Sequence, residues 1–224
     1  MNQLEHIQAV IFDLDGVITD TAEFHYLAWK NLAHELGITI DRAFNETLKG
    51  ISRVDSMRAI LAHGDMLGDY SDSEIDRLAN QKNTEYVELI QSITPSDILP
   101  GVEIFLKGLR AKGIKIAMAS ASKNAFMVSE LLGIEHYFDH IVDAATVANS
   151  KPDPEVFLRA AQAVGVDPEH CVGVEDAQAG VAAVKSAGMY AIGIGDASVL
   201  AQADMIFAST ASLPNLLPQI GSAL

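Results

Sequence analysis

The sequence predicts an α/β protein, a doubly wound parallel sheet interrupted by one all-helical insertion. Three observations carry this. Short apolar runs recur along the chain and end in polar residues, as Ala9-Val10-Ile11-Phe12 ends in Asp13; strands buried on both faces read this way. Helical patterns lie between the runs, several stopped by a glycine, the residue that most easily takes the left-handed conformation after a last helical turn. From Thr21 to about Ile93 there is helical periodicity and no buried strand, so the alternation that signals a parallel sheet breaks only there.

Taken in order, Ala9–Phe12 is a buried strand that delivers the Asp13 carboxylate at its end. The insertion follows, with Phe24, Leu27, Ala28, Asn31, Leu32 and Leu36 marking one face of a first helix, and with two longer companions, Ser52 to Ala62 and Ser71 to Ile90. The return linker Ser92-Ile93-Thr94-Pro95-Ser96 has turn chemistry. The expected division is a core of residues 1–20 and 94–224 and a helical domain of residues 21–93. In the core, a helix over Val102 to Lys112 precedes a strand over Lys115 to Ala119 that ends in Ser120. Helices over Asn124 to Leu132 and Pro154 to Val164 lead to Cys171-Val172-Gly173-Val174, followed by Glu175-Asp176. A helix over Gln178 to Ala187 and apolar runs at Tyr190 to Ile194 and Met205 to Phe207 complete the sheet. Ligands of such sheets bind beyond the carboxyl ends of the strands, where Asp13, Ser120 and Asp176 would converge.

Composition narrows the function. With a net charge of −15, the chain repels polyanions, which argues against a nucleic-acid partner. A small phosphorylated substrate is compatible if a few cations gather in one cleft. The single cysteine, Cys171, excludes an intrachain disulfide and a cysteine-based zinc site. The first ten residues lack the basic and apolar segments of a signal peptide, and no run of about 18 apolar residues occurs. The expectation is a cytoplasmic monomer with no membrane partner.

The chemistry centres on FDLDGVITD, residues 12 to 20. In an extended chain, Asp13 and Asp15 can both face one pocket while Gly16 permits a tight loop. One carboxylate can then attack phosphorus while the other handles a proton, given two different environments. A calcium loop is a poor alternative, since the position that should hold its bidentate glutamate is Phe24.

FDLDGVITDT resembles the first motif of the haloacid dehalogenase superfamily, whose phosphotransferases form a phosphoaspartate. Three further segments match in order: Ser120 in MASAS, Lys151 in NSKPDPE and Glu175-Asp176 in GVEDAQAG. The resemblance implies a Rossmann-like core, an Asp13 nucleophile and an Asp15 acid/base. It further implies a Ser120 hydroxyl and a Lys151 ammonium on the phosphoryl oxygens, and Mg²⁺ held by Asp13, Asp176 and the Asp15 backbone carbonyl. Glu175 is either a further ligand or a carboxylate just behind them. A proline amide also makes a cis Lys151–Pro152 bond accessible.

The segments DGVITDTAEFHYLAWK, FNETLKGISRVDS, QKNTEYV and SASKNAF are similar to the capped sugar-phosphate mutases of that superfamily. That similarity implies conversion of β-D-glucose 1-phosphate to glucose 6-phosphate through a bisphosphate, under a helical cap that excludes water. His25 would hold Asp15 from a hinge near Thr21. Arg53 would bind the phosphate not being transferred, a task suited to its planar fork, with Ala121, Ser122, Lys123 and Asn124 from the core. Lys82 would reach the sugar, and Trp29, Leu48, Gly50 and Ser56 would shape the pocket. The alternatives are a sugar-phosphate phosphatase on the same core, or a non-catalytic sensor. The second has little reason to keep Asp13 and Asp15 side by side.

Overall fold

In the computed structural model, which describes residues 3–222, six parallel strands form one sheet in the order β3-β2-β1-β4-β5-β6. The strands are β1 (Ala9–Phe12), β2 (Lys115–Met118), β3 (His140–Ile141), β4 (Cys171–Glu175), β5 (Tyr190–Ile194) and β6 (Met205–Phe207). Every residue of β1 and β4 is buried, so the continuous apolar runs follow from covering the sheet on both sides. The chain builds outward from β1 on one side, then returns to place β4 on the other. This reversal opens a crevice at the carboxyl ends of β1 and β4.

The stretches up to Asp20 and from Ile93 onward form one compact unit, and Thr21–Ser92 forms a second. In the sheet unit the remaining helices are α5 (Val102–Ala111), α6 (Ala125–Leu131), α7 (Glu155–Val164) and α8 (Gln178–Ser186). Ala9, Ile11 and Ala117 of the strands pack with Val156, Phe157, Val181 and Val184 of α7 and α8 on one face. On the other, Phe12 meets Phe105 and Phe138 edge-on at ring separations of 5.9 and 6.4 Å, a geometry worth about 1 kcal/mol per pair beyond area burial.

The second unit holds α1 (Ala22–Glu35), α2 (Arg42–Glu46), α3 (Arg53–His63) and α4 (Asp72–Leu89). Ser52 caps α3 by accepting the Asp55 N–H, and Ser71 with Glu74 forms a reciprocal capping box on α4. These bonds satisfy backbone donors that a helix start otherwise leaves open.

Three expectations need correction. The inward face of α1 consists of Tyr26, Ala28, Trp29, Leu32 and Ala33, while Asn31 is exposed and Phe24 and Leu27 are half-buried. Apolar residues lie on more than one side of the helix, so periodicity alone does not choose the face. Its neighbour α4 does, with Asn31 and Glu35 bonded along the border to Glu85 and Gln81. Second, β3 and α2 carry no usable sequence signal, being two and five residues long. Third, Ile93 belongs with the sheet unit rather than the helices. Among the described residues no helix is long and apolar enough to cross a membrane.

Candidate active site

The ladder that pairs β1 with both neighbours continues one step beyond it. The Asp13 N–H donates to Val174 O at 2.9 Å, and the Ala119 N–H donates to Phe12 O at 2.8 Å. Asp13 is thereby fixed at the sheet edge, 5% exposed, between the ends of β2 and β4. The next residues turn back, with the Gly16 N–H donating to Thr19 O. Gly16 has φ +78°, and a Cβ on it would lie 2.1 Å from an Asp176 carboxylate oxygen. Glycine is therefore needed both for the turn and for the approach of Asp176.

Lys151 brings the carboxylates together. Its side chain is fully buried, and Nζ donates to Asp13 Oδ1 at 2.8 Å and to Glu175 Oε1 at 2.5 Å. The Lys151–Pro152 bond is cis. Burial works against the lysine's charge, but Asp13 and Glu175 outweigh it and hold the ammonium above the usual lysine range. For Asp13, desolvation is the largest effect. Lys151 pulls against it, Glu175 and Asp15 add to it, and the metal-free carboxyl is raised to about 7.

Carboxylate oxygens of Asp13, Glu175 and Asp176 lie within 4.8 Å of one another. Hard carboxylate oxygens gathered in this way fit a divalent cation. Glu175 is the most committed of the three, since its Oε2 also accepts the Asp176 and Ala177 N–H groups.

Beside Asp13, the buried Ser120 accepts the Ser122 N–H through Oγ at 3.1 Å, and Ser122 Oγ accepts the Asn124 N–H at 3.2 Å. These bonds fold residues 120–124 into a compact loop after β2. Ala121, Ser122 and Asn124 are half-buried in it and Lys123 is exposed.

The Lys151 loop has its own brace, which sequence reasoning does not single out although it closes the NSKPDPE segment. Glu155 accepts the Ala148 and Asn149 N–H groups at 3.0 and 2.8 Å and pairs with Arg159. Those backbone donors hold its carboxyl at about 2, against 4.5 ordinarily. Because the folded value is depressed, the stabilisation is present above pH 4.5 and is lost as pH falls toward 2. Glu155→Gln keeps only one acceptor oxygen. It is expected to speed amide exchange at 148–151 and lower turnover about tenfold, as a misplaced charge near a reacting centre does. Unchanged exchange there would remove Glu155 from this role.

In the helical unit, the ammonium of Lys82 is only 2.6 Å from His25 Nδ1 and stands over the Trp29 and Tyr86 rings at 4.6 and 4.7 Å. One hydrogen bond joins the two nitrogens, and which of them donates depends on the histidine tautomer. The ring is fixed by stacking on Tyr86 at 4.0 Å, a residue one helical turn beyond Lys82 that the sequence reading leaves out. Lys82 is therefore buried in this setting, 3% exposed. Arg53 begins α3, and its half-buried guanidinium donates to Asn80 Oδ1 at 3.3 Å. Desolvation lowers its pKa, as expected for a cation partly stripped of water. Trp29 and Leu48 pack in the unit's apolar core, and Ser56 Oγ donates to Ser52 O. Gly50 turns the chain with φ +75°, and Thr21 is buried at the start of α1.

A family model described as haloacid dehalogenase-like hydrolase matches residues 7–188. The chain belongs to that family. Within it, the chain is 47% identical to a β-phosphoglucomutase from Bacillus subtilis over 207 residues, which is 92% of each chain. It is 33% identical to a fructose-1-phosphate phosphatase from Escherichia coli, over 85% of this chain and 97% of that one. Among solved structures, a β-phosphoglucomutase from Clostridium difficile superposes with a TM-score of 0.91 at 50% identity, covering 92% of this chain and 93% of that chain. The matched stretch includes Asp13, Ser120, Lys151 and Asp176.

Proposed function

We propose that this family member is a β-phosphoglucomutase, interconverting β-D-glucose 1-phosphate and D-glucose 6-phosphate through a phosphoaspartyl enzyme. The observation that carries this reading is the near-full-length identity of 47–50% to two proteins named for that activity. The buried Lys151 ion pair on Asp13 supports a phosphoryl-transfer centre. The phosphatase alternative has support at 33% identity.

In this mechanism the phosphoryl group on Asp13 passes to the 6-hydroxyl of glucose 1-phosphate, and Asp15 takes the hydroxyl proton. The resulting 1,6-bisphosphate turns over. Its anomeric phosphoryl is transferred to Asp13, and Asp15 returns the proton to the departing sugar oxygen. Ser120 and Lys151 meet the charge on the phosphoryl oxygens. We assign the cation to Mg²⁺, held by Asp13, Asp176 and the Asp15 backbone carbonyl with Glu175 close by; when bound, it would neutralise charge on those oxygens. His25 is assigned the hold on Asp15, which a ring N–H would supply. Arg53, partly desolvated, is assigned to the second phosphate together with Ala121, Ser122, Lys123 and Asn124. Lys82 is assigned to the sugar, and Trp29, Leu48, Gly50 and Ser56 to the shape of its site. The helical unit is assigned as the cap, and the protein is read as a cytoplasmic monomer acting on small sugar phosphates.

Incubation with Mg²⁺, β-glucose 1-phosphate and a trace of bisphosphate is expected to produce glucose 6-phosphate in large excess over inorganic phosphate. Both products are followed in the same sample. Inorganic phosphate as the main product would reject the mutase in favour of the phosphatase.

A further inference from the structure

Helix α8 starts at Gln178, two residues after Asp176, and its first turn contains Gly180. A Cβ built there would lie 1.9 Å from Cδ of Glu175 and 2.0 and 2.2 Å from its two carboxylate oxygens. Gly180 is helical and buried, and alanine is the better residue in a helix interior. Backbone conformation therefore does not call for glycine at this point. Space does. The bare turn forms a notch filled by the Glu175 carboxylate, which from that seat accepts the Asp176 and Ala177 N–H groups through Oε2 and the Lys151 ammonium through Oε1. Lys151 then reaches Asp13 at 2.8 Å.

We propose that Gly180 is a positioning residue for phosphoryl transfer, its missing side chain being the seat that fixes Glu175 and, through it, Lys151 against Asp13. A methyl group at 180 needs ordinary contact distances near 3.4 Å or more, so the carboxylate must leave the notch. Leaving it disturbs the bonds that Glu175 makes from that seat, the pair with Lys151 among them. Gly16 makes a parallel notch for Asp176, but its positive φ confounds any substitution there. Position 180 isolates the packing effect.

The test is phosphorylation of Asp13 by a small acyl phosphate with Mg²⁺, quenched in acid and followed by intact mass. This readout needs no sugar, so it rests on the proposed function only through the phosphoaspartate. Wild-type protein that never takes a phosphoryl group defeats that reading itself. If wild type is phosphorylated, Gly180→Ala is expected to slow the step about 100-fold, the cost of a misplacement near one ångström, with the donor concentration for half-maximal rate changed less than about threefold. Glu175→Asp withdraws the carboxylate by one methylene. Alone it should slow the reaction, but in the Gly180→Ala background it should restore at least about tenfold in rate and raise the melting temperature. Gly68→Ala, at a glycine with nothing within 4 Å of a Cβ, is the control for the substitution itself and should match wild type. An unchanged rate in Gly180→Ala overturns the proposal, as does a double variant no faster than Gly180→Ala. Should Gly180→Ala be insoluble, the double variant must be soluble and phosphorylated, and its failure counts equally against the idea.

Discussion

Asp13→Asn is expected to abolish phosphoenzyme formation and turnover, by at least about 10⁴-fold, while making the metal-free protein more stable. The first effect follows from the role proposed for Asp13, since the amide lacks the carboxylate oxygen that would attack. The second follows from charge. Burial, together with Glu175 and Asp15, raises the Asp13 carboxyl to about 7 despite Lys151, so ionising it in the folded state is unfavourable. The sign is set by the raised folded value. The stability this group contributes is fully present below its unfolded pKa near 4 and is lost as pH rises through about 7. An amide of the same shape carries no such penalty. The melting temperature of the variant should exceed that of wild type by roughly 5 °C at pH 8.5, and the gap should narrow toward pH 5.5. That range stays above the isoelectric point of about 4.7, where solubility falls. Added Mg²⁺ should close the gap by supplying wild type with the charge it lacks. Melts in chelator at three pH values decide this, and a variant less stable than wild type at pH 8.5 would contradict the charge argument.

The second large effect is expected at Lys151→Met. The lysine side chain is fully buried between two carboxylates, and deleting one partner of a buried ion pair strands the other. A loss of about 3–5 kcal/mol is expected, a fall of roughly 10 °C in a domain of this size. In wild type the ammonium is held above the usual lysine range, so its contribution is complete below about pH 10 and neutral pH does not touch it. In the variant, the buried Asp13 carboxylate has lost its cation and takes up a proton more readily. Its deficit should therefore be smaller at pH 5.5 than at pH 8.5. Adding Asp13→Asn should recover part of the loss, and a double-mutant cycle measures the coupling. If the deficit proves independent of pH and of Asp13, the lysine is a packing residue only. Turnover should fall about 10³-fold or more with the charge at the phosphoryl group.

Much of this protein was legible before any fold was known, for physical reasons that differ along the chain. Strands β1, β2 and β4 announced themselves because both of their faces are buried, leaving unbroken apolar runs whose ends had to carry the polar chemistry. Asp13, Ser120 and Asp176 could be picked out because each follows such a run, whereas Lys151 follows none and was marked only by its resemblance to a family motif. Strand β3 could not, since two residues form it and one of them, His140, is exposed; it exists by pairing with Ala117 and Met118. The face of α1 was misread for a related reason. A helix with apolar residues on more than one side offers several faces, and packing selects one.

The sequence by itself determined five of the six strands, the helical insertion and the order of charged residues along the strand ends, because burial on two faces and helical periodicity are written locally. Only the tertiary structure decided that Lys151 bridges Asp13 and Glu175, that Lys82 is buried against His25, and that Gly180 leaves room for a carboxylate. These depend on residues distant in the chain meeting in low-dielectric surroundings, where one missing methyl group or one ammonium sets the energy, and no local pattern records which partners will meet.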